Sequence, residues 1–190
     1  MKKILLIVTH PKKESLSFTI ADRYKETREA FGDRVEVLDL YREEQQQPFF
    51  AYEDRSKVAT PQMAYYQEKI SEADELVFVF PYWWGSYPAI LHNFIDWNLS
   101  KGFAFEYLGS LPKGLLRGKR VTVFATTGAP KFYYALTGAN RRIKNTFKEQ
   151  VVSFCGMKLS SFNIYGGVNT AKRNIEAIQQ DVAKVARRSS

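Results

Sequence analysis

Three short stretches of this chain hold the side chains best suited to chemistry. The first, HPKKESLSF from His10 to Phe18, gathers Ser15, Ser17 and the following Thr19 around the start of a predicted helix. Backbone amides at a helix start lack intrahelical partners, and the helix dipole favours negative charge there. His10, Ser17 and Thr19 are therefore placed to hold a phosphate. Ser15 or Ser17 serving only as a helix cap is the plainer reading of the same residues. The second stretch, PYWWGSYP from Pro81 to Pro88, crowds Tyr82, Trp83, Trp84 and Tyr87 into a loop where aromatics would stand exposed. A flat conjugated ligand would bury them, and backbone amides near Gly85 would reach its polar edge; packing into the core is the alternative. The third, TTGAPKFYYALTG from Thr126 to Gly138, has Gly128 for close backbone approach and a Tyr133–Tyr134 pair. The Tyr134 phenol can donate to a developing oxyanion, or the pair can simply pack.

The elements that must position these stretches follow from hydrophobic periodicity. Lys3 to Val8 is a continuous Ile, Leu and Val run, the pattern of a strand buried on both faces of a parallel sheet. A helix follows from about Ser17 to Phe31, stopped by Gly32, then a strand from Val35 to Leu40. Tyr41 to Thr60, with three consecutive glutamines and Pro48, reads as a long excursion. Pro61 opens a helix to about Ala73, Glu75 to Phe80 is a strand, and about Pro88 to Leu99 is a helix. A strand from Arg120 to Ala125, a loop from Thr126 to about Thr137, a helix to about Phe154, a strand from Lys158 to Tyr165 and a helix from about Thr170 to Arg188 complete the chain. This alternation predicts one doubly wound α/β domain over residues 1–190, its parallel strands joined by right-handed crossovers. Ligands bind such sheets beyond the carboxyl ends of the strands. The three stretches fall there, together with Gly166, Gly167 and Val168 after the last strand.

Composition removes other classes. The 190 residues, 45% apolar and 15% aromatic, suit a single core. The apolar run from Ile4 to Val8 is too short for a signal-peptide core, and no stretch approaches the roughly 20 apolar residues of a membrane span. One cysteine, Cys155, allows no internal disulfide and fits a reducing cytoplasm. With two histidines and that one cysteine, a transition-metal site with several such ligands cannot be assembled within the chain, so no metal is expected. The net charge of +8 is dispersed, apart from clusters such as Arg141, Arg142 and Lys144, and reads as solvated surface rather than a nucleic-acid footprint. Neither GxGxxG nor GxxxxGK[ST] is present, against a conventional dinucleotide fingerprint or an NTPase.

Four separated segments, in this order and spacing, resemble the NAD(P)H:quinone oxidoreductases of the flavodoxin-like superfamily over nearly the whole chain. HPKKESLSF matches the family's HPxxxSxSF flavin-phosphate loop, and FPYWWGSYPAIL its FPxxWxxxPAxL isoalloxazine loop. GFAFEY matches the substrate-pocket segment, and TTGAPKFYYALTG with the later FCG matches the remainder. The resemblance implies a five-stranded parallel sheet of order 2-1-3-4-5 with helices on both faces. It implies His10, Ser17, Phe18 and Thr19 on the flavin phosphates and ribityl chain, and Pro81, Tyr82, Trp83, Trp84 and Gly85 along the isoalloxazine. Thr126, Thr127 and Gly128 would line its other side. Phe105, Tyr107 and Tyr134 would shape the substrate pocket, with Phe154 reaching across a twofold homodimer interface.

The implied activity is reduction of quinones or similar flat electrophiles by NADH or NADPH through bound flavin, in ping-pong fashion, with Tyr134 the catalytic side chain. FAD is expected from the phosphate loop and from Gln47 and Pro48, which would cover an adenine; FMN is the alternative cofactor. An electron carrier, a regulatory subunit of a membrane transporter, and an azoreductase or nitroreductase are rival readings. One departure matters: the family's best-known members place a histidine six residues after the tyrosine, as a proton relay. This chain has Asn140 there, which does not titrate at neutral pH. Ala129 and Pro130 also replace glycine and serine, which would alter the pocket's shape.

Overall fold

The computed structural model describes residues 1–44, 46–51, 59–167 and 175–188. Its centre is a five-stranded parallel sheet of order β2-β1-β3-β6-β7. The strands are β1 (Lys3–Val8), β2 (Arg34–Asp39), β3 (Glu75–Pro81), β6 (Arg120–Thr126) and β7 (Lys158–Tyr165). Two further strands, β4 (Phe105–Leu108) and β5 (Leu111–Gly114), form an antiparallel hairpin outside this sheet. They shift the later strand numbers from 4 and 5 to 6 and 7.

Alternation along each strand divides the interior into two layers. Ile4, Leu6 and Val8 of β1 face α1 (Leu16–Ala30) and α6 (Ile175–Arg188), with Val77, Val79 and Phe124 beside them. Leu5 and Ile7 face the opposite way, with Leu76, Phe78 and Phe80, toward α2 (Pro61–Glu72), α3 (Ala89–Asn98) and α5 (Ala139–Phe147). All seven residues of β3, the middle strand, are buried. This is why it reads as an unbroken apolar run from Leu76 onward, after the buried Glu75.

The structure departs from the sequence-based elements in three places. A short helix α4 (Lys131–Leu136) forms inside the expected Thr126–Thr137 loop, with Pro130 ahead of its first turn. The expected helix up to Phe154 is α5, continued by a wider π-helical stretch over Lys148–Ser153. The hairpin was not anticipated. It packs so tightly that a Cβ on Gly114 would stand 2.0 Å from the Gly156 nitrogen, and Leu116 N–H donates to Cys155 O at 2.9 Å. Val168, Thr170 and the middle of the Tyr41–Thr60 excursion lie outside the described residues. No described helix is long and apolar enough to cross a membrane.

Candidate active site

The loops after β1, β3 and β6 converge on a cleft of about 850 Å³ at the carboxyl ends of these strands. β1 lies between β2 and β3, so the strand order reverses beside it, where open α/β sheets bind ligands. The loops leave the sheet in step: Thr9 N–H donates to Val79 O at 2.9 Å, and Tyr82 N–H to Thr126 O at 2.7 Å.

In the first loop, Ser15 has extended backbone angles and its Oγ accepts from Phe18 N–H at a long 3.5 Å. Ser15 is thus the helix cap, and it also lines the cleft. Ser17 is buried, lines the cleft, and lies 3.5 Å by its Oγ from Thr126 Oγ1, joining the first and third loops. The α1 amides of Leu16 and Ser17 have no carbonyl one turn earlier to bond, so this wall of the cleft can accept an anion. His10 Nδ1 stands 3.1 Å from Lys12 N and 2.9 Å from Lys12 O. The tautomer decides which of the two contacts Nδ1 makes, and either one holds the ring to its own loop. Thr19 spends its hydroxyl on Ser15 O at 3.2 Å, and neither it nor Phe18 reaches the cleft wall. Lys12, Glu14 and Leu16 do line the cleft, although sequence reasoning did not select them. Their position between His10 and Ser17 was the available signal.

In the second loop, Trp83 and Ser86 exchange both backbone hydrogen bonds at 2.9 Å, and Trp84 and Gly85 between them have φ of +51° and +79°. This is a two-residue hairpin turn needing two left-handed residues; glycine takes its place freely, whereas Trp84 is strained. The turn leaves Trp84 fully exposed, while Trp83 approaches His10 with ring centroids 5.8 Å apart. Pro81, Tyr82, Trp83 and Trp84 all line the cleft; Gly85 shapes the turn without lining it. Tyr87 belongs to the core instead. It packs on Phe80 and Phe147 and stacks on His92 at 3.9 Å, while His92 Nε2 lies 2.9 Å from Ser86 Oγ.

In the third loop, Thr126 and Gly128 line the cleft. Thr127 is turned inward: its N–H donates to Tyr165 O at 2.9 Å and its hydroxyl to Ala129 O at 3.0 Å. Helix α4 then brings Tyr134 back to the cleft, its ring 5.6 Å from that of Tyr82. Burial pushes the Tyr82 phenol up from its ordinary pKa, opposed by Arg142 and reinforced by Tyr134, so it stays a protonated donor. Asn140 lies elsewhere, in a groove along β7 with Arg141 and Lys144.

Two groups of expected site residues do not line the cleft within one chain. Phe105 and Phe154 meet edge to face at 4.7 Å, but in a second groove of about 570 Å³ shared with Ile95, Asp96 and Lys101. Tyr107 stands beside it, exposed on the hairpin and 5.7 Å from Phe105. Gln47 and Pro48 are likewise held away from the cleft by α3. Gln47 and Asn98 pair their side-chain amides at 2.9 and 3.2 Å, and Pro48 O accepts from Trp97 Nε1 at 2.8 Å.

Comparison with known proteins places the chain in a family. The chain is 29% identical over 197 residues to the FMN-dependent NADH:quinone oxidoreductase of Caldicellulosiruptor bescii, covering 97% of this chain and 92% of that protein. It is 30% identical over 181 residues to the ribosyldihydronicotinamide dehydrogenase (quinone) of Rattus norvegicus, covering 83% and 78%. The solved structure of NAD(P)H:quinone oxidoreductase from Methanothermobacter marburgensis superposes with a TM-score of 0.88 at 20% identity, covering 100% of this chain and 99% of that one, a likeness of fold. The family model described as flavodoxin-like fold matches residues 2–188, and the chain belongs to that family.

Proposed function

We propose that this protein is a flavin-dependent NAD(P)H:quinone oxidoreductase with FMN as its cofactor. The observation that carries the reading is the meeting, in one cleft, of a helix N-terminus fit for a phosphate, an aromatic turn fit for a flat ring system and a tyrosine phenol. The donor set suits a flavin mononucleotide. The first-turn amides of α1, with Ser15, Ser17 and His10, would hold the phosphate. Tyr82, Trp83 and Trp84 would lie against the isoalloxazine, and the backbone at Gly128 would approach it from the β6 side. FMN is favoured over FAD because Gln47 and Pro48, expected to cover an adenine, are committed to α3, and because the Caldicellulosiruptor relative is named FMN-dependent.

A flavin held there would supply the redox chemistry between NAD(P)H and the acceptor, which would use the same cleft in turn. The chain's own residues bind, orient and exclude water. Tyr134 presents a phenol that can donate to an oxyanion as it develops on the acceptor, a role Asn140 cannot share from its separate groove. Quinones are the acceptor class proposed; azo and nitro compounds would use the same cleft.

The homodimer and the pocket roles of Phe105, Tyr107 and Phe154 are part of this proposal. Tyr107, Leu108 and Leu111 leave apolar surface exposed on the hairpin, beside the second groove. A second copy seated there would bury it and bring these aromatics to the partner's cleft. With its one buried cysteine, the protein is proposed to act in a reducing cytoplasm. The test is titration of apoprotein with FMN and FAD, together with mass measurement in solution. FMN binding to a dimer supports the reading; binding of neither flavin overturns it.

A further inference from the structure

Strand β2 ends at Asp39, and a tight turn follows in which the N–H groups of Arg42 and Glu43 both donate to Asp39 O, at 2.8 and 2.9 Å. The turn folds Arg42 back toward the loop after β1. Its Nη1 donates to Asp39 Oδ2 at 2.9 Å and reaches His10 O at 3.5 Å, while Nη2 donates to Pro11 O. The guanidinium also lies over the Phe18 ring, 5.7 Å from its centroid. One planar fork thus holds two successive carbonyls of the first cleft loop and covers the first turn of α1. Asp39, largely buried, fixes the fork from behind. Arg42 does not line the cleft.

We infer that Arg42 is a positioning residue for the phosphate end of the cofactor site, acting through the His10–Pro11 carbonyls rather than by touching the ligand. Those carbonyls have no partner in the sheet ladder, and an acceptor free to swing toward the cleft would repel an anion. With both turned to Arg42, the loop presents the His10 ring and the α1 amides to the phosphate, and Pro11 stiffens it further. A lysine has a single point of charge in place of the fork, so it cannot hold Asp39 and both carbonyls in one plane. The inference rests on the flavin reading of the cleft.

The experiment titrates apoprotein with FMN and with riboflavin, which lacks the phosphate, for wild type, Arg42→Lys and Arg42→Ala. The Kd for FMN is expected to rise roughly tenfold in both variants, the scale of one lost charge-assisted hydrogen bond, with riboflavin affinity unchanged. Full FMN affinity in Arg42→Lys would overturn the inference, since charge alone would then suffice. An equal loss for both flavins would also overturn it, because the effect would not act at the phosphate. A wild-type protein that binds neither flavin overturns the functional reading and this inference with it.

Discussion

The rings of Tyr82 and Tyr134 meet edge to face, with centroids 5.6 Å apart and planes at 67°, although 51 residues separate them in the chain. The contact joins the loop after β3 to the helix after β6 and sets the Tyr134 phenol in the cleft. Replacing Tyr134 with Phe keeps the ring contact and removes only the hydroxyl. Flavin affinity is expected to hold while the rate of acceptor reduction falls by about tenfold or more. Stopped-flow measurement of the oxidative half-reaction checks this, and an unchanged rate removes Tyr134 from the chemistry.

Trp84 occupies a left-handed backbone position that suits asparagine better than tryptophan. Trp84→Asn relieves part of a strain of about 1–2 kcal/mol while losing no core contact, because the indole is fully exposed. Thermal unfolding of the apoprotein should occur no lower than in wild type, and FMN affinity should drop. A lowered melting temperature with intact affinity would mean that the indole supports the fold and not the ligand.

Arg28 is fully buried, pairs with Asp33 at 2.8 Å and faces Glu75 at 3.6 Å. Glu75 in turn accepts from Tyr24 Oη at 2.9 Å and Thr122 Oγ1 at 2.7 Å. Arg28→Ala leaves two carboxylates in the interior without their cation and should destabilise the fold by about 3–5 kcal/mol. Urea denaturation measures the loss. Glu75 begins β3 and Pro81 ends it, about 20 Å apart at strand rise, so any variant that remains folded should retain its FMN affinity.

Burial against Tyr87 pushes the His92 pKa below its ordinary 6.5, with Asp96 opposing. The unfolded chain therefore takes up this proton more readily than the folded one. The His92 contribution to stability is complete above pH 6.5 and is lost as pH falls through the interval down to the folded pKa. Between about pH 7 and pH 5, the melting temperature of His92→Gln should decline less steeply than that of wild type. A parallel decline would show that His92 does not titrate with folding.

The parallel strands were legible because their apolar runs are dictated by burial on both faces, and the positions of the cleft loops followed from the topology. The hairpin was not, since Pro112 and Gly114 interrupt any strand pattern in LPKG and its fit depends on contact with the distant Gly156. The aromatic crowding after β3 showed that a site was near but not which ring served it. Packing on Phe80, Phe147 and His92 assigns Tyr87 to the core, and the turn leaves Trp84 outside. Asn140 follows Tyr134 by six residues, yet α5 begins at Ala139 and directs it into the β7 groove, which spacing alone does not reveal. Arg42 looked like one more charge in an irregular stretch, because its role depends on the turn at Asp39.

The most direct measurement is anaerobic addition of NADH or NADPH to the flavin-loaded protein, followed by a quinone. The visible absorption near 450 nm expected of oxidised flavin should bleach with the nicotinamide and return with the quinone. A flavin-loaded protein that neither nicotinamide reduces would contradict the oxidoreductase assignment and leave an electron carrier or regulatory subunit in its place.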